Sequence, residues 1–319
     1  MSRVLVTGAA GFIGSHLCEA LIARGDTVLG VDSFTEYYSP ARKRANLKDA
    51  LAAGLEFRRV DLTCDALEPV VEGIDVVYHL AGQPGVRPSW GQDFEVYTQR
   101  NLVATQRVLE AALHSRNPRL VFASSSSVYG HIDGGPARES DPFAPVSPYG
   151  MTKAACEELI DVYRREHGLS AVSLRYFTAY GPRQRPEMAF AAFIRATLLG
   201  RPLSVLGDGS QARDFTFVTD VVAATIAAAE LGTEPVYNIS GGGSCTLLDA
   251  IEEIERLTGH PALLDFSPRA RGDASRTSAD LTAASRDLGY EPAVSLQDGL
   301  ALQIGAALAE PVELVEAVA

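Results

Sequence analysis

The stretch Arg3-Val-Leu-Val-Thr-Gly8-Ala-Ala-Gly11-Phe-Ile-Gly14 decides the fold of this chain. Its apolar first half predicts a buried β-strand at residues 3–7, and apolar residues at helical spacing predict a helix at 12–24. Between the two, Gly8 permits a tight turn, Gly11 lets the main chain approach a pyrophosphate, and Gly14 lets the helix pack on the strand. The helix N-terminus offers unpaired N–H groups to phosphate oxygens. This stretch therefore predicts a dinucleotide-binding βα unit, with Phe12 and Ile13 beside the phosphates.

The rest of the first half repeats the strand–helix alternation. Strands are predicted at residues 27–31, 55–60, 74–80, 120–123 and 171–176, and long helices at 93–114 and 149–167. Short apolar runs separated by helices indicate a parallel sheet covered on both faces. After Tyr176 the alternation breaks, and a strand at 236–239 resumes it. We predict an α/β fold, a Rossmann-type doubly wound parallel sheet in residues 1–178, rejoined by about 214–240. A smaller interleaved C-terminal lobe spans 179–319.

Composition narrows the class of protein. The 319 residues carry a formal net charge of −12, which argues against a broad nucleic-acid or anionic-membrane surface. The four cysteines are scattered, so we predict neither a disulfide framework nor a metal site. There is no basic and apolar leader and no apolar run of membrane length. The expected location is the cytoplasm.

Residues at the predicted strand ends indicate which dinucleotide binds. Asp32 ends the second strand, where a carboxylate accepts hydrogen bonds from the adenosine ribose hydroxyls and repels a 2′-phosphate. This favours NAD over NADP, although the cations at 42–44 weaken the preference. Small residues at the end of the fourth strand let a dinucleotide pass close to the main chain. Further predicted cofactor contacts are Ser33, Lys43, Asp61, Leu62, Leu80, Ala81 and Gly82.

The stretch Ser147-Pro-Tyr-Gly-Met-Thr-Lys153 carries the predicted chemistry. If a helix begins near Pro148, Tyr149 and Lys153 lie on one face one turn apart. An ammonium beside a phenol favours the phenolate, so Tyr149 is a candidate general acid or base. The alternative is an ordinary helix start with an exposed lysine. Against it, the chain has only three lysines, and a run of four serines at 124–127 ends a predicted strand nearby.

Together these motifs resemble the extended short-chain dehydrogenase/reductase family, and within it the nucleotide-sugar epimerases. The resemblance covers essentially the whole chain. It includes the glycine stretch, Phe122-Ala-Ser-Ser-Ser-Ser-Val-Tyr-Gly130, Tyr149-x-x-x-Lys153, Arg175-Tyr-Phe-Thr178, Tyr180-Gly-Pro-Arg183, Arg213-Asp-Phe215 and Arg271-Gly-Asp273.

The resemblance implies roles for individual residues. Tyr149 would be the acid/base, Lys153 would hold the nicotinamide ribose, and Ser125 would orient the substrate hydroxyl. Asn101, Ser124 and Tyr176 would add cofactor contacts. The first domain would bind NAD, the second a UDP-sugar, and two long helices would pair in a homodimer. The substrate contacts would be Arg87, Ser125, Ser126, Ser127, Tyr149, Thr178, Arg185, Met188, Ala189, Val205, Arg213, Arg271 and Asp273.

The serine run narrows the predicted reaction. Dehydratases of this family carry Asp-Glu where this chain has Ser126 and Ser127, and related decarboxylases carry Glu at the position of Ser127. With no second acid/base pair, the expected outcome is 4-epimerisation through a 4-keto sugar, with the C4 hydride passing to NAD and back. A decarboxylase or dehydratase relative, an alcohol dehydrogenase and a non-catalytic dinucleotide-binding protein remain alternatives.

The substrate is predicted from two further segments. Residues 33–44 and 177–189 look like those of UDP-glucuronate 4-epimerases, and Arg185 could supply charge to a uronate carboxylate. UDP-glucuronate is therefore the expected substrate. However, Arg183 and Gln184 stand where those enzymes often have Trp-Gly, so the UDP-glucose and UDP-galactose reaction is kept as the alternative.

Overall fold

The structure is a computed structural model that describes residues 1–132, 134–268 and 276–309. The strands in chain order are β1 (Arg3–Thr7), β2 (Thr27–Asp32), β3 (Glu56–Arg59), β4 (Val76–His79), β5 (Arg119–Ser125), β6 (Ala171–Tyr176), β7 (Ala179–Tyr180), β8 (Pro202–Leu206), β9 (Ala212–Asp214), β10 (Thr216–Phe217), β11 (Val236–Ile239), β12 (Ser244–Thr246) and β13 (Leu263–Ser267). The helices are α1 (Phe12–Ala23), α2 (Pro40–Asn46), α3 (Lys48–Ala52), α4 (Glu68–Val71), α5 (Phe94–Tyr97), α6 (Ala104–Leu113), α7 (Pro148–His167), α8 (Ala189–Leu198), α9 (Val218–Leu231), α10 (Leu247–Thr258), α11 (Thr282–Leu288) and α12 (Leu296–Ala309).

Seven strands form one parallel sheet in the order β11-β6-β5-β4-β1-β2-β3. Val4 of β1 is in register with Val28 of β2 on one side and with Val76 of β4 on the other. The chain therefore adds β2 and β3 on one side of β1 and then crosses over to add β4 on the other side. The strand order reverses between β1 and β4. Ligands of doubly wound sheets bind in the crevice at such a reversal, outside the carboxyl ends of the strands. The predicted fold class is confirmed, and β11 lies at one edge of the sheet beside β6.

The long helix predicted at 93–114 is not one regular helix. A short 3-10 turn (Gly91–Asp93) precedes α5, and a π-helical segment (Thr98–Val103) separates α5 from α6. A π-helical insertion rotates the side chains that follow it, and such segments are frequent at functional sites. Here the segment places Asn101 in the interior, where its side chain binds Gln83 and Thr152. Hydrophobic periodicity alone could not show this break, because apolar residues continue on both sides of it.

The C-terminal third packs onto the sheet through a shared apolar core. Within the described residues, three two-stranded sheets stand apart from the main one: β7 with β10, β8 with β13 and β9 with β12. Thr246 is the N-cap of helix α10 and forms a capping box with Asp249. One buried cluster includes Val6 of β1 together with Phe190 and Ile251 of this third. The third is therefore interleaved with the sheet, as predicted, while the boundary at residue 178 stays a prediction.

The strand before α9 is very short. Only Thr216 and Phe217 pair, with β7, and Val218 already begins α9. Phe215 instead packs its ring against Phe190 at 4.3 Å between centroids. No helix within the described ranges is both long and apolar enough to cross a bilayer.

Candidate functional site

The glycine turn between β1 and α1 is packed so closely that side chains cannot enter it. Gly8 has φ +71°, and a Cβ there would lie 2.9 Å from the main-chain nitrogen of Ala81 at the end of β4. A Cβ on Gly14 would lie 2.1 Å from the carbonyl oxygen of Gly8. The first turn of α1 therefore rests directly on the turn, with Gly11 as its N-cap. This leaves main-chain N–H groups facing the crevice, which suits a pyrophosphate.

Asp32 is anchored so that its carboxylate faces the crevice. It accepts N–H hydrogen bonds from Phe34 at 2.8 Å and from Ala10 of the glycine turn at 3.3 Å. Lys43, which is buried, donates to the carbonyl and the hydroxyl of Thr35 at 2.8 and 2.9 Å. Burial lowers the pKa of this ammonium. The position of Asp32 suits the hydroxyls of an adenosine ribose, as the sequence predicted for NAD.

One cleft collects most of the predicted cofactor residues. It lies at the reversal point of the strand order, over the carboxyl ends of β1, β2, β4 and β5. Predicted residues that line it are Gly8, Gly11, Phe12, Ile13, Gly14, Asp32, Ser33, Lys43, Asp61, Leu62, Leu80, Ala81, Gly82, Ser124, Tyr149, Lys153 and Tyr176. Asn101 lies just behind them and accepts the N–H of Gln83 at 2.6 Å.

Several residues of the cleft were missed by sequence reasoning. Thr35, Tyr37 and Tyr38 come from the segment that follows β2, while Gln83 follows the small residues after β4. Arg100 reaches the cleft from the π-helical segment and donates to the Gln83 side chain at 2.9 Å. Thr35, Tyr37, Tyr38 and Gln83 follow closely after Asp32 or Gly82, and this closeness in sequence could have indicated them. Arg100 gave no such signal, because its approach depends on the break in the helix.

Helix α7 brings the predicted chemistry to the same cleft. Its N-cap is Ser147, whose hydroxyl accepts the N–H of Gly150 at 3.1 Å, and Pro148 occupies the first turn. Lys153 is buried and donates to the carbonyl of Ala123 at 2.6 Å. Tyr149 is half-buried on the same helix face. The tyrosine and the lysine therefore both line the cleft, as the spacing predicted.

The serine run lies against the start of α7. A Cβ on Gly150 would lie 2.4 Å from the carbonyl oxygen of Ser127, so only glycine allows this contact. Ser125 caps a short 3-10 helix (Ser126–Val128): its hydroxyl accepts the N–H of Ser127 at 3.2 Å and donates to the Ser127 hydroxyl at 3.1 Å. Ser125, Ser126 and Ser127 are half-buried. They form a cluster of serines whose main chain packs against the first turn of α7, the turn that carries Tyr149.

A buried ion pair supports this region from behind, and the sequence reasoning missed it. Arg175 of β6 donates to Glu157 of α7 at 2.8 Å, and both side chains are almost fully buried. The hydroxyl of Ser124 also donates to Glu157. Arg175 further donates to Tyr129 at 2.7 Å, which donates to Asn238 of β11 at 2.7 Å. Because Glu157 lies one turn after Lys153, the network fixes α7 to β5 and β6.

Arg185 reaches the cleft from the segment between β7 and α8. Its Nε donates to Glu187 at 2.7 Å, and its side chain is 22% exposed. Burial raises the pKa of the neighbouring Tyr37, and Glu187 adds to the shift. A guanidinium thus lies in the same cleft as Tyr149, where a negatively charged part of a ligand could meet it.

The other predicted substrate residues lie around the cleft rather than on its walls. Thr178, Met188 and Ala189 are half-buried beyond β6, and Arg87 is exposed on a short 3-10 helix. Arg213 lies on β9. Val205 requires a correction, because its side chain is fully buried in the core of β8 and only its main chain could face a ligand. Arg271 and Asp273 lie outside the described residues.

Comparison with known proteins agrees with this geometry. The model of the NAD dependent epimerase/dehydratase family matches residues 4–240. The chain is 44% identical to a Bacillus subtilis (strain 168) protein named an uncharacterized UDP-glucose epimerase, YtcB, over 95% of this chain and 96% of that protein. It is 37% identical to a UDP-glucuronate 4-epimerase of Thermodesulfobacterium geofontis, over 94% of each chain.

A solved structure shows the same fold with ligands. The UDP-glucuronic acid 4-epimerase of Bacillus cereus, in complex with UDP-glucuronic acid and NAD, superposes with a TM-score of 0.92. The two sequences are 42% identical over 95% of this chain and 98% of that one. The main chains of the two proteins are therefore closely similar over almost their whole length.

Proposed function

Since this chain belongs to the NAD dependent epimerase/dehydratase family, we propose that it interconverts UDP-glucuronate and UDP-galacturonate by NAD-dependent epimerisation at C4. One observation carries the proposal. Tyr149 and Lys153 share a face of α7 and line the same cleft as the glycine turn and Asp32. An acid/base group and a dinucleotide site therefore open onto one space, and two similar proteins bear the name UDP-glucuronate or UDP-glucuronic acid 4-epimerase.

The cofactor is NAD, and the cleft residues fit it. The glycine turn and the N–H groups of α1 would hold the pyrophosphate, and Asp32 the adenosine ribose. Lys153 would hold the nicotinamide ribose, with Asn101 and Ser124 shaping the pocket behind it. NAD, when bound, supplies a hydride acceptor that takes the C4 hydrogen and returns it. The small residues Ala81 and Gly82 leave room for the cofactor to pass over the sheet edge.

Tyr149 is the proposed acid/base. It accepts the proton of the C4 hydroxyl while the hydride leaves C4, and the sugar becomes a 4-keto sugar. When the hydride returns to the opposite face, Tyr149 gives its proton back to the C4 oxygen. The positive charge of Lys153 stabilises the Tyr149 phenolate, which exists before the proton is taken from the sugar and again after it is given back. Ser125 orients the hydroxyl through its half-buried side chain at the end of β5.

The preference for a uronate rests on the groups that could face its carboxylate. Ser126, Ser127 and Thr178 carry hydroxyls that can donate hydrogen bonds, and Arg185 carries a charge in the cleft. A 4-keto uronate is a β-keto acid, which loses CO₂ readily if its carboxylate turns freely. Firm holding of that carboxylate would therefore protect the intermediate. The serines stand where dehydratases and decarboxylases of the family carry acidic residues, which supports epimerisation.

The UDP part of the substrate would bind on the C-terminal side of the cleft. The resemblance to the family implies that Arg213 and Arg271 would hold the diphosphate and that Arg87, Met188, Ala189 and Asp273 would be further substrate contacts. Val205 would contribute main-chain groups to the uracil pocket. We also propose a homodimer formed through the region of α5, α6 and α7, and a cytoplasmic location. The dimer rests on the resemblance of the sequence to its family.

The neutral-sugar reaction is the second candidate. The Bacillus subtilis protein with 44% identity is named for UDP-glucose rather than UDP-glucuronate. Arg183 and Gln184 also depart from the pattern frequent in glucuronate enzymes. On this alternative, Arg185 would contact a phosphate or a hydroxyl instead of a carboxylate.

A product assay separates the two candidates. Purified protein, first without added NAD and then with it, is incubated with UDP-glucuronate and separately with UDP-glucose, and the products are identified by NMR. UDP-galacturonate as the faster product supports the proposal. UDP-galactose alone would move the function to the neutral sugars. A UDP-pentose or a stable 4-keto sugar would contradict the role given to the serine cluster.

A further inference from the structure

The segment that carries Arg185, residues 181–187, contains a strained residue. Arg183 has φ +64°, in the left-handed region that residues with a side chain rarely adopt. Such a conformation costs about 1–2 kcal/mol. It persists only where the surroundings hold it, and it is most frequent at functional sites. The contacts of the Arg183 side chain therefore show what holds this segment.

Arg183 is bound to helix α1, the helix whose first turn forms the predicted pyrophosphate site. Its Nη1 and Nη2 donate to the two carboxylate oxygens of Glu19 at 2.7 and 2.6 Å. This two-pronged arrangement is the strongest geometry for an arginine–carboxylate pair. Nη1 also donates to the carbonyl of Asn46 at 3.2 Å, and the Asn46 side chain donates to the carbonyl of Ala10 in the glycine turn at 3.1 Å.

His16 adds a second connection between the segment and α1. Arginine can only donate, so the 3.2 Å contact from Arg183 Nη2 makes His16 Nδ1 the acceptor. The proton then lies on Nε2, which donates to the carbonyl of Pro182 at 2.9 Å. Burial and the charge of Arg183 lower the pKa of His16 to about 4, in keeping with this neutral form. One helix face thus holds two consecutive residues of the segment.

The other side of the segment is held by a pair of buried glutamines. Gln303 of α12 accepts the N–H of Gly181 at 3.1 Å and donates to the Gln184 side chain at 2.8 Å. Gln184 in turn donates to the carbonyl of Ala179 at 3.0 Å. Hydrogen bonds therefore fix the three residues before Arg185: Pro182 through its carbonyl, and Arg183 and Gln184 through their side chains. The next residue, Arg185, extends into the cleft.

We propose that Arg183 is a positioning residue for substrate selectivity. By pairing with Glu19 it holds Arg185 in the cleft beside Tyr149, and so favours a sugar that carries a carboxylate over a neutral one. Arg183 and Gln184 depart from the family pattern, yet they are the residues that fix this segment. The inference rests on the proposed function, because the expected partner of Arg185 is the uronate carboxylate.

Binding measurements test this directly. The NAD-loaded protein carries Tyr149→Phe to prevent turnover, and calorimetry gives the dissociation constants of UDP-glucuronate and UDP-glucose. Arg183→Met is compared with Glu19→Gln and with the double variant. Arg24→Met is the matched control, because Arg24 pairs with Asp26 and Glu230 at the opposite end of α1. Thermal unfolding of each variant shows that it is folded.

We expect Arg183→Met to weaken UDP-glucuronate binding about tenfold, corresponding to about 1.4 kcal/mol, and UDP-glucose binding less than twofold. Glu19→Gln should act in the same direction, and the double variant should be no weaker than Arg183→Met, as expected for two halves of one interaction. Arg24→Met should leave the ratio of the two constants unchanged.

Equal weakening for both sugars, or an unchanged ratio in Arg183→Met, would overturn the inference, since Arg183 would then have only a general structural role. A parent protein with equal affinity for both sugars would overturn it as well. The proposed function is tested separately, by turnover of UDP-glucuronate in the protein that retains Tyr149. Failure of turnover with a preserved difference in binding would reject the reaction while keeping the role of Arg183.

Discussion

Replacing Gly14 with alanine should weaken cofactor binding, because the added Cβ forces helix α1 away from the glycine turn. The new Cβ would lie 2.1 Å from the carbonyl oxygen of Gly8 and 3.1 Å from the Cα of Ala9. Because these are main-chain atoms, no side chain can rotate away. Helix α1 and the glycine turn must separate by about 1 Å to restore an ordinary van der Waals distance.

The expected magnitude follows from two opposing effects. Alanine is about 1 kcal/mol better than glycine inside a helix. Overpacking of a close contact costs about 1–3 kcal/mol, so the net loss of stability should be about 0–2 kcal/mol. The effect on NAD should be larger, because each hydrogen bond to a charged phosphate contributes about 1.5–3 kcal/mol. Displacement of α1 should therefore weaken NAD binding at least about tenfold.

Urea denaturation and titration with NAD measure both effects. Gly305→Ala is the control, because Gly305 also lies in a helix, α12, but its added Cβ meets nothing within 4 Å. This control should raise the stability by about 0.5–1 kcal/mol and leave NAD binding unchanged. If Gly14→Ala retains the NAD affinity and stability of the parent, the close packing of α1 on the turn does not shape the cofactor site.

Four further predictions follow from the site. Tyr149→Phe should abolish turnover while UDP-sugar binding survives in calorimetry; near-normal turnover would remove Tyr149 from its role. Arg185→Ala should reduce kcat/KM for UDP-glucuronate more than for UDP-glucose, and equal losses would show that it does not bind the carboxylate. The pKa of His16 should be near its ordinary 6.5 in the unfolded state but is about 4 in the native state. The unfolding free energy should therefore fall by about 2 kcal/mol from pH 7 to pH 5. If a His16→Gln variant shows the same pH dependence of stability, His16 is not its source. Glu157→Ala should cost about 3–5 kcal/mol in urea denaturation because it leaves Arg175 buried without its charged partner, and a loss below 1 kcal/mol would contradict the role of that pair.

The first βα unit and the acid/base pair could be predicted from the sequence because they are local. Glycines at a strand–helix turn and a tyrosine and lysine four residues apart depend on neighbours a few positions away. The same holds for Asp32, whose place at the end of β2 follows from the apolar run before it. These patterns gave the sheet, the cofactor class and the helix face that bears Tyr149.

The sequence predicted helices and strands less well where tertiary packing determines their geometry or the direction of a side chain. The helix at 93–114 was expected to be regular, but the π-helical segment turns Asn101 inward because its amide satisfies main-chain groups beside the cleft. Val205 was expected to contact the substrate, yet its alternating position in β8 directs it into the core. Periodicity reports which residues are apolar, not which of two buried surfaces they meet.

By itself, the sequence determined the dinucleotide fold, the NAD-type carboxylate and the tyrosine–lysine pair, since each depends on short-range geometry that residue type and spacing specify. Only the tertiary structure decided how the site is held. Glu19 and Arg183 are 164 positions apart, and the pair exists because α1 and the segment before α8 pack against each other. Glu157 and Arg175 likewise meet only when α7 packs on β6. Contacts of this kind depend on three-dimensional packing, so no local sequence pattern predicts them.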